Sequence, residues 1–278
     1  MSPFPDLRTL SQKREVWFDR SAKQVPGIDI NEKQQLALME QLSTFYADLP
    51  FGDTPCDGLR YYFKNEFFGY GDGIILYSMM RHLRPTRIVE IGSGFSSALM
   101  LDVNDRFFGK SILLKFIEPY PARLFSLVDG PDKLGCEIIE RQVQDVPVEH
   151  FTTLQNNDIL FIDSSHVVKI GSDLSYIFNV ILPSLAQGVI IHFHDVFWPF
   201  EYPEEWLMNG WAWNEDYFLR AFLQFNSAFK IIFFNSYVEH FHADKIGTLM
   251  PLFKTNGLGV LHQGAYRPFS SLWIRKTA

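Results

Sequence analysis

Apolar positions along this chain fall into two spacings, and the switches between them mark its elements. Short runs rich in Ile, Val, Leu and Phe occur at Arg87–Ile91, Ser111–Ile117, Glu137–Arg141, Asp158–Ile162, Val189–Phe193, Lys230–Phe234 and Ser271–Arg275. Their length and content predict strands. Apolar residues at helical spacing predict helices over Gly73–Leu83, Ser96–Val103, Pro121–Leu127, Leu174–Leu185 and Tyr217–Phe225. Strands alternating with helices predict the α/β class: a doubly wound, mostly parallel sheet of about seven strands, with the late strands pairing at one edge. Ahead of it, residues 1–30 hold three prolines and read as an irregular arm. Asn31–Ala47 reads as a helix with Asn31 as N-cap and Leu36, Met39, Leu42 and Phe45 recurring along it. The glycines of FFGYGDG, residues 67–73, predict a mobile loop. The expected division is an N-terminal helical extension or cap over residues 1–70, packed on a main domain over residues 71–278.

Composition narrows the function classes. A formal net charge of −7 argues against nucleic acid as a partner, because phosphate binding needs a basic excess. Aromatic residues make up 16% of the chain, a surplus that serves a thick core, a homo-oligomer interface or an apolar ligand pocket. Cys56 and Cys136 are the only cysteines, so neither a disulfide framework nor a cysteine metal site is expected. The first residues have no apolar signal core, and no run approaches ~18 apolar residues. These features predict a cytoplasmic protein with no membrane partner.

Chemistry concentrates at strand ends. VEIGSGFSS, residues 89–97, stands where a strand gives way to a helix. Gly92 and Gly94 allow a tight turn against a ligand, and the helix that follows offers free N–H groups. A dinucleotide site would carry a third glycine where this chain has Ser97, which disfavours a nicotinamide cofactor. Glu90 lies within the strand, where a buried charge is costly unless it is paired, and it favours a cationic ligand group. Glu118, after the second strand, can accept both hydroxyls of a ribose.

VEIGSGFSS resembles the first motif of class I S-adenosylmethionine-dependent methyltransferases, in which an acidic residue precedes G-x-G. IEPYP, residues 117–121, resembles their second motif, and the lead-in over residues 68–94 resembles a small-molecule and sugar branch. The resemblance spans about residues 67–200 and the edge strands. It implies a Rossmann-like fold and S-adenosylmethionine as cofactor. It also implies Glu90, Gly92, Ser93 and Gly94 at the methionine end, Glu118 on the ribose and Asp145 on the adenine amino group.

Two further strand ends face the same crevice. LFIDSSH places Asp163 there, beside the cofactor, with His166 three residues on; IIHFHD places His194 and Asp195. In one reading Asp163, His194 and Asp195 hold Mg²⁺ or another divalent cation that acidifies an acceptor hydroxyl. This resembles catechol-type O-methyltransferases, although those carry Asp-Asn where this chain has His-Asp. In a second, His166 or His194 is a metal-free general base. In a third these groups only cap strand ends. His166, His194 and Asp195 are the candidates for catalysis. His192 is read as structural and as pointing to the face opposite His194.

The aromatic stretch Phe197–Trp213 is read as either a substrate wall or a core or dimer contact. Tyr70 and Asp72 reach over the cofactor or stand in a plain surface loop. His240 and His242 are read as loop residues, and Asn104, Asn156 and Asn157 as turn residues. The expectation is an S-adenosylmethionine-dependent methyltransferase acting on a hydroxyl of a small molecule or sugar; the alternative is a non-catalytic binding module on the same fold.

Overall fold

The computed structural model describes residues 7–128, 135–255 and 269–278. Three helices, α1 (Leu7–Trp17), α2 (Glu32–Ser43) and α3 (Tyr70–Leu83), precede the first strand, β1 (Arg87–Ile91). There follow α4 (Phe95–Phe108), β2 (Leu113–Ile117), α5 (Ala122–Leu127), β3 (Cys136–Ile139), α6 (Glu149–Thr152) and β4 (Ile159–Ile162). Next, α7 (Asp173–Tyr176) runs through a π-helical stretch, Ile177–Ile181, into α8 (Leu182–Ser184) and then β5 (Ile190–His194). The chain continues through α9 (Glu204–Met208), α10 (Glu215–Leu223), β6 (Phe229–Phe234), α11 (Asn235–Leu249), α12 (Pro251–Thr255) and β7 (Ser271–Lys276).

The strands form one sheet in the order β3-β2-β1-β4-β5-β7-β6. β1 through β5 are parallel, and β7 runs antiparallel to both β5 and β6. This is the α/β, doubly wound, seven-stranded sheet that the pattern predicts. Its central strands are mostly apolar because helices cover both faces, and every residue of β4 and β5 is buried. The strand order reverses at β1, with β2 and β3 on one side and β4 and β5 on the other, which opens a crevice beyond the strands' carboxyl ends.

Local expectations fail in several places. The arm expected to be irregular contains α1; residues 1–6 lie outside the described residues. Leu10 is its one buried side chain among those described, so it carries no apolar stripe to read. Asn31 does not cap α2: it is left-handed, with φ 52°, and its amide donates to the Ile231 carbonyl at 3.1 Å instead. The buried polar contact of α2 is Gln35, which donates to the Ile30 carbonyl and accepts from the Phe234 N–H. The 67–73 glycine stretch is a loop only to Gly69; Tyr70 opens α3. Neither Tyr70 nor Asp72 reaches the crevice: the Tyr70 hydroxyl donates to Asp53 at 2.7 Å, and Asp72 accepts from Asn235 and Ser271. Asn104 is not a turn residue; it sits in α4 and bonds both the N–H and the carbonyl of Ile112. His240 and His242 belong to α11, where His242 meets Glu32 at 2.9 Å.

Candidate active site

The loop after β1 is built around Gly92. Its φ is +81°, and a Cβ there would collide with the Asp163 carbonyl oxygen, so only glycine fits. Gly92 donates to the Ile117 carbonyl, and Asp163 donates to the Ile91 carbonyl, each at 2.9 Å, which holds the loop between β2 and β4. Gly94 is extended, with φ −178°, and needs no left-handed freedom.

Glu90 is fully buried and is not among the residues that line the cavity described below. Ser96 donates to its Oε1 at 2.5 Å, and Ser97 donates to its Oε2 while accepting from the Gly94 N–H at 3.0 Å. The serine at the third glycine position therefore braces the loop from within. Burial pushes the Glu90 carboxyl up to about 8, against the lowering effect of the two serine hydroxyls. Glu90 thus buttresses the glycine loop through Ser96 and Ser97.

Beyond the loop lies a cavity of about 510 Å³, a size typical of small-ligand sites. Gly92, Glu118, Tyr120, Val143, Gln144 and Asp163 are among its walls. Glu118 accepts from the Ser93 N–H at 3.0 Å through Oε2 and from the Tyr120 N–H at 2.8 Å through Oε1. Each oxygen keeps a second acceptor position for a ligand hydroxyl. Asp145 ends a short 3₁₀ turn, Val143–Asp145, and is exposed; the cavity wall there is Gln142, Val143 and Gln144.

At the far end of the crevice, Asp163, His166 and Asp195 converge, with one ligand atom from each within 4.8 Å of the others. His166 Nε2 lies 3.4 Å from Asp163 Oδ1 and 3.7 Å from Asp195 Oδ2. The Asp163 side chain is 36% exposed and the Asp195 side chain 4%, so the cluster opens at Asp163, which also lines the cavity. Asp195 is left-handed, with φ 56°, and accepts from the Ser270 hydroxyl at 2.9 Å.

This grouping differs from the expected triad of Asp163, His194 and Asp195. His194 is buried beside the Phe68 ring, with Nε2 3.6 Å from Asp195, and His166 takes the third place in the cluster. His192 and His194 also share one face, since residues two apart in a strand point the same way. Their rings lie 5.8 Å apart at 21°. His192 meets the Ser271 hydroxyl at 2.9 Å, and burial pushes its pKa well down, so it is neutral.

Sequence reasoning missed Glu215. Its Oε2 meets His166 Nδ1 at 2.8 Å, and both side chains are buried. No local motif marks Glu215; helix α10 brings it in from 49 residues away. Burial by itself would lower the His166 pKa, but Asp163 and Glu215 outweigh it and hold the imidazole well above its ordinary value. Burial raises the Asp163 carboxyl, and His194 and His166 more than reverse this, leaving it low. Three carboxylates thus surround the His166 ring. Trp213 packs on the His166 ring, with centroids 4.2 Å apart, at the end of an aromatic cluster that includes Phe197, Tyr202 and Trp206.

Residues 89–196 match a family model described as a methyltransferase domain. An uncharacterised protein of Archaeoglobus fulgidus is 35% identical over 167 residues, which is 57% of this chain and 72% of that protein. Among solved structures, the O-methyltransferase TomG of Streptomyces achromogenes, involved in tomaymycin synthesis and in complex with S-adenosylmethionine, is 15% identical at a TM-score of 0.46, covering 90% of this chain and 92% of its own. The S-adenosylhomocysteine-bound methyltransferase PaMTH1 of Podospora anserina is 15% identical at 0.45, with 100% of both chains covered.

Proposed function

Because the chain belongs to the class I S-adenosylmethionine-dependent methyltransferases, we propose that it methylates a hydroxyl oxygen of a small molecule or sugar, with a divalent cation held by Asp163, His166 and Asp195. The observation that carries this reading is the convergence of those three groups beside the cavity, with Asp163 common to both. Two carboxylates and an imidazole suit Mg²⁺, Mn²⁺ or a similar ion. The excess of buried negative charge around His166 suits one as well. When bound, such an ion lowers the pKa of an acceptor hydroxyl and fixes its direction.

The chain's own residues do the rest. Glu118 receives the ribose hydroxyls on the acceptor positions its two backbone N–H partners leave open. Gly92 lets the backbone approach the methionine end, and Glu90 holds that loop rigid. Asp163 stands between cofactor and acceptor. In the reaction the acceptor oxygen attacks the methyl carbon in line as the carbon–sulfur bond breaks, and the electron pair remains on sulfur. Holding the oxygen near ~3 Å of the methyl group can supply several kcal/mol. The displaced hydroxyl proton passes to solvent through the open Asp163 side.

The test is calorimetric binding of S-adenosylhomocysteine, followed by mass spectrometry of a panel of hydroxylated acceptors with and without a chelator. Micromolar binding is expected, weakened at least about tenfold in Glu118→Ala, which removes charge-assisted bonds to two hydroxyls. Chelation and Asp195→Ala should each cost turnover about 10² or more. Binding unchanged in Glu118→Ala would refute the ribose role, and turnover insensitive to both chelation and Asp195→Ala would refute the cation.

A further inference from the structure

We propose that Asn214 and Glu215, at the start of α10, are positioning residues that hold the His166 ring with Nδ1–H donated to Glu215 and Nε2 turned toward Asp163 and Asp195. This rests on the reading above that Nε2 serves a divalent cation.

The loop after β4 is sewn to α10 at this point. The His166 carbonyl accepts from the Asn214 N–H at 3.0 Å and the Glu215 N–H at 3.3 Å. The Asn214 side chain binds Val168 on both sides, accepting from its N–H at 2.6 Å and donating to its carbonyl at 3.2 Å. These bonds fix a backbone that would not otherwise stay: His166 is left-handed, with φ 57°, a conformation that residues with a Cβ seldom hold without outside support. The ring is then fixed twice more, by Trp213 against its face and by Glu215 on Nδ1 at 2.8 Å.

The chemistry asks for such a partner. A neutral imidazole has one N–H and one lone pair, and the group bonded to the first nitrogen decides which nitrogen presents the lone pair. A carboxylate can only accept, so Glu215 keeps the hydrogen on Nδ1 and leaves Nε2 as the ligand atom. Asp216, the next residue, is directed elsewhere, since its Oδ2 accepts from the Phe197 N–H of the loop after β5 at 3.2 Å.

The experiment compares the full-length wild-type protein with Glu215→Leu and Glu215→Gln by three measurements. These are Mn²⁺ affinity by electron paramagnetic resonance, the ring Nδ1–H proton of His166 by nuclear magnetic resonance, and S-adenosylhomocysteine affinity by calorimetry. In the wild type the Nδ1–H proton should be shifted downfield and protected from exchange. In Glu215→Leu that signal should vanish and Mn²⁺ affinity should fall about 10–100-fold. S-adenosylhomocysteine affinity should hold, because Glu215 is not part of that cavity's wall. Glu215→Gln keeps an acceptor for Nδ1–H, so the signal should survive and Mn²⁺ affinity should fall by less. Wild-type Mn²⁺ affinity in Glu215→Leu overturns the proposal; if that variant does not fold, wild-type affinity in Glu215→Gln does so. If the wild type takes up no Mn²⁺, the cation reading fails. The Nδ1–H signal then decides alone: protection in the wild type that Glu215→Leu abolishes supports positioning, and a signal unchanged between the two overturns it.

Discussion

At the scale of single residues, the site is made by groups whose burial changes their chemistry. Glu90 reads from sequence as a charge offered to a cationic ligand, but it is enclosed by Ser96 and Ser97 and mostly protonated at neutral pH. Its folded pKa of about 8 stands above its ordinary 4.5, so the folded state binds one more proton than the unfolded state between those values. The stabilisation is full below about 4.5 and is lost as pH rises through 8, at a slope of up to about 1.4 kcal/mol per pH unit. Denaturant melts of the wild type should therefore weaken across pH 5.5–8.5 relative to Glu90→Gln, whose amide stays neutral. Parallel profiles for the two proteins would show that Glu90 does not hold its proton. Glu118 is the contrasting case, since its position after β2, on the cavity wall, is legible locally. Glu215 and the exchange of His194 for His166 were not, because no short-range pattern encodes which side chains from different loops will meet.

Among the elements, the strands and most helices follow from apolar spacing, while α1 and α11 do not. α1 buries too little to show a stripe, and α11 buries Asn235, Ser236, Tyr237, Val238 and Ile246, a set with no single helical face. A polar tie joins α3 to α11. Asp72, in the first turn of α3, accepts from Asn235 at 2.8 Å, from the Ser271 hydroxyl at 2.6 Å and from the Ser270 N–H at 3.3 Å. Ser270 in turn donates to Asp195, so this tie also steadies the cluster of Asp163, His166 and Asp195. Asp72→Ala leaves several buried donors unmet and should cost about 2–4 kcal/mol in denaturant unfolding. A loss below about 0.5 kcal/mol would mean that water replaces the carboxylate and the tie is not structural.

At the scale of the whole molecule, the decisive fact is the strand order. It sets the carboxyl ends of β1, β2 and β4 side by side, so Gly92, Glu118 and Asp163 surround one cavity although they are far apart in the chain. β7 enters between β5 and β6, which brings Ser270 beside Asp195 across 75 residues. No helix among the described residues is long and apolar enough to cross a membrane. A ligand that occupies this cavity joins three strands and should stabilise the whole domain by mass action. At a hundred times its dissociation constant, S-adenosylhomocysteine should add about 2.7 kcal/mol and raise the melting temperature by several degrees. A folded protein whose melting temperature does not move at that concentration would not be using this cavity for the cofactor.

The class of fold, the strand ends that meet at the crevice, the glycine turn at Gly92 and the acid at Glu118 are legible in the chain alone. These are short-range properties: apolar period, a glycine where a side chain would collide, and an acid at a strand end. Packing in three dimensions encloses Glu90 between Ser96 and Ser97, brings His166 to Asp163 and Asp195, and stands Glu215 behind His166. Those outcomes depend on which way a side chain turns at the end of a strand and on what a distant helix brings to it. Packing and hydrogen bonding across the finished fold settle both, and no local pattern records them.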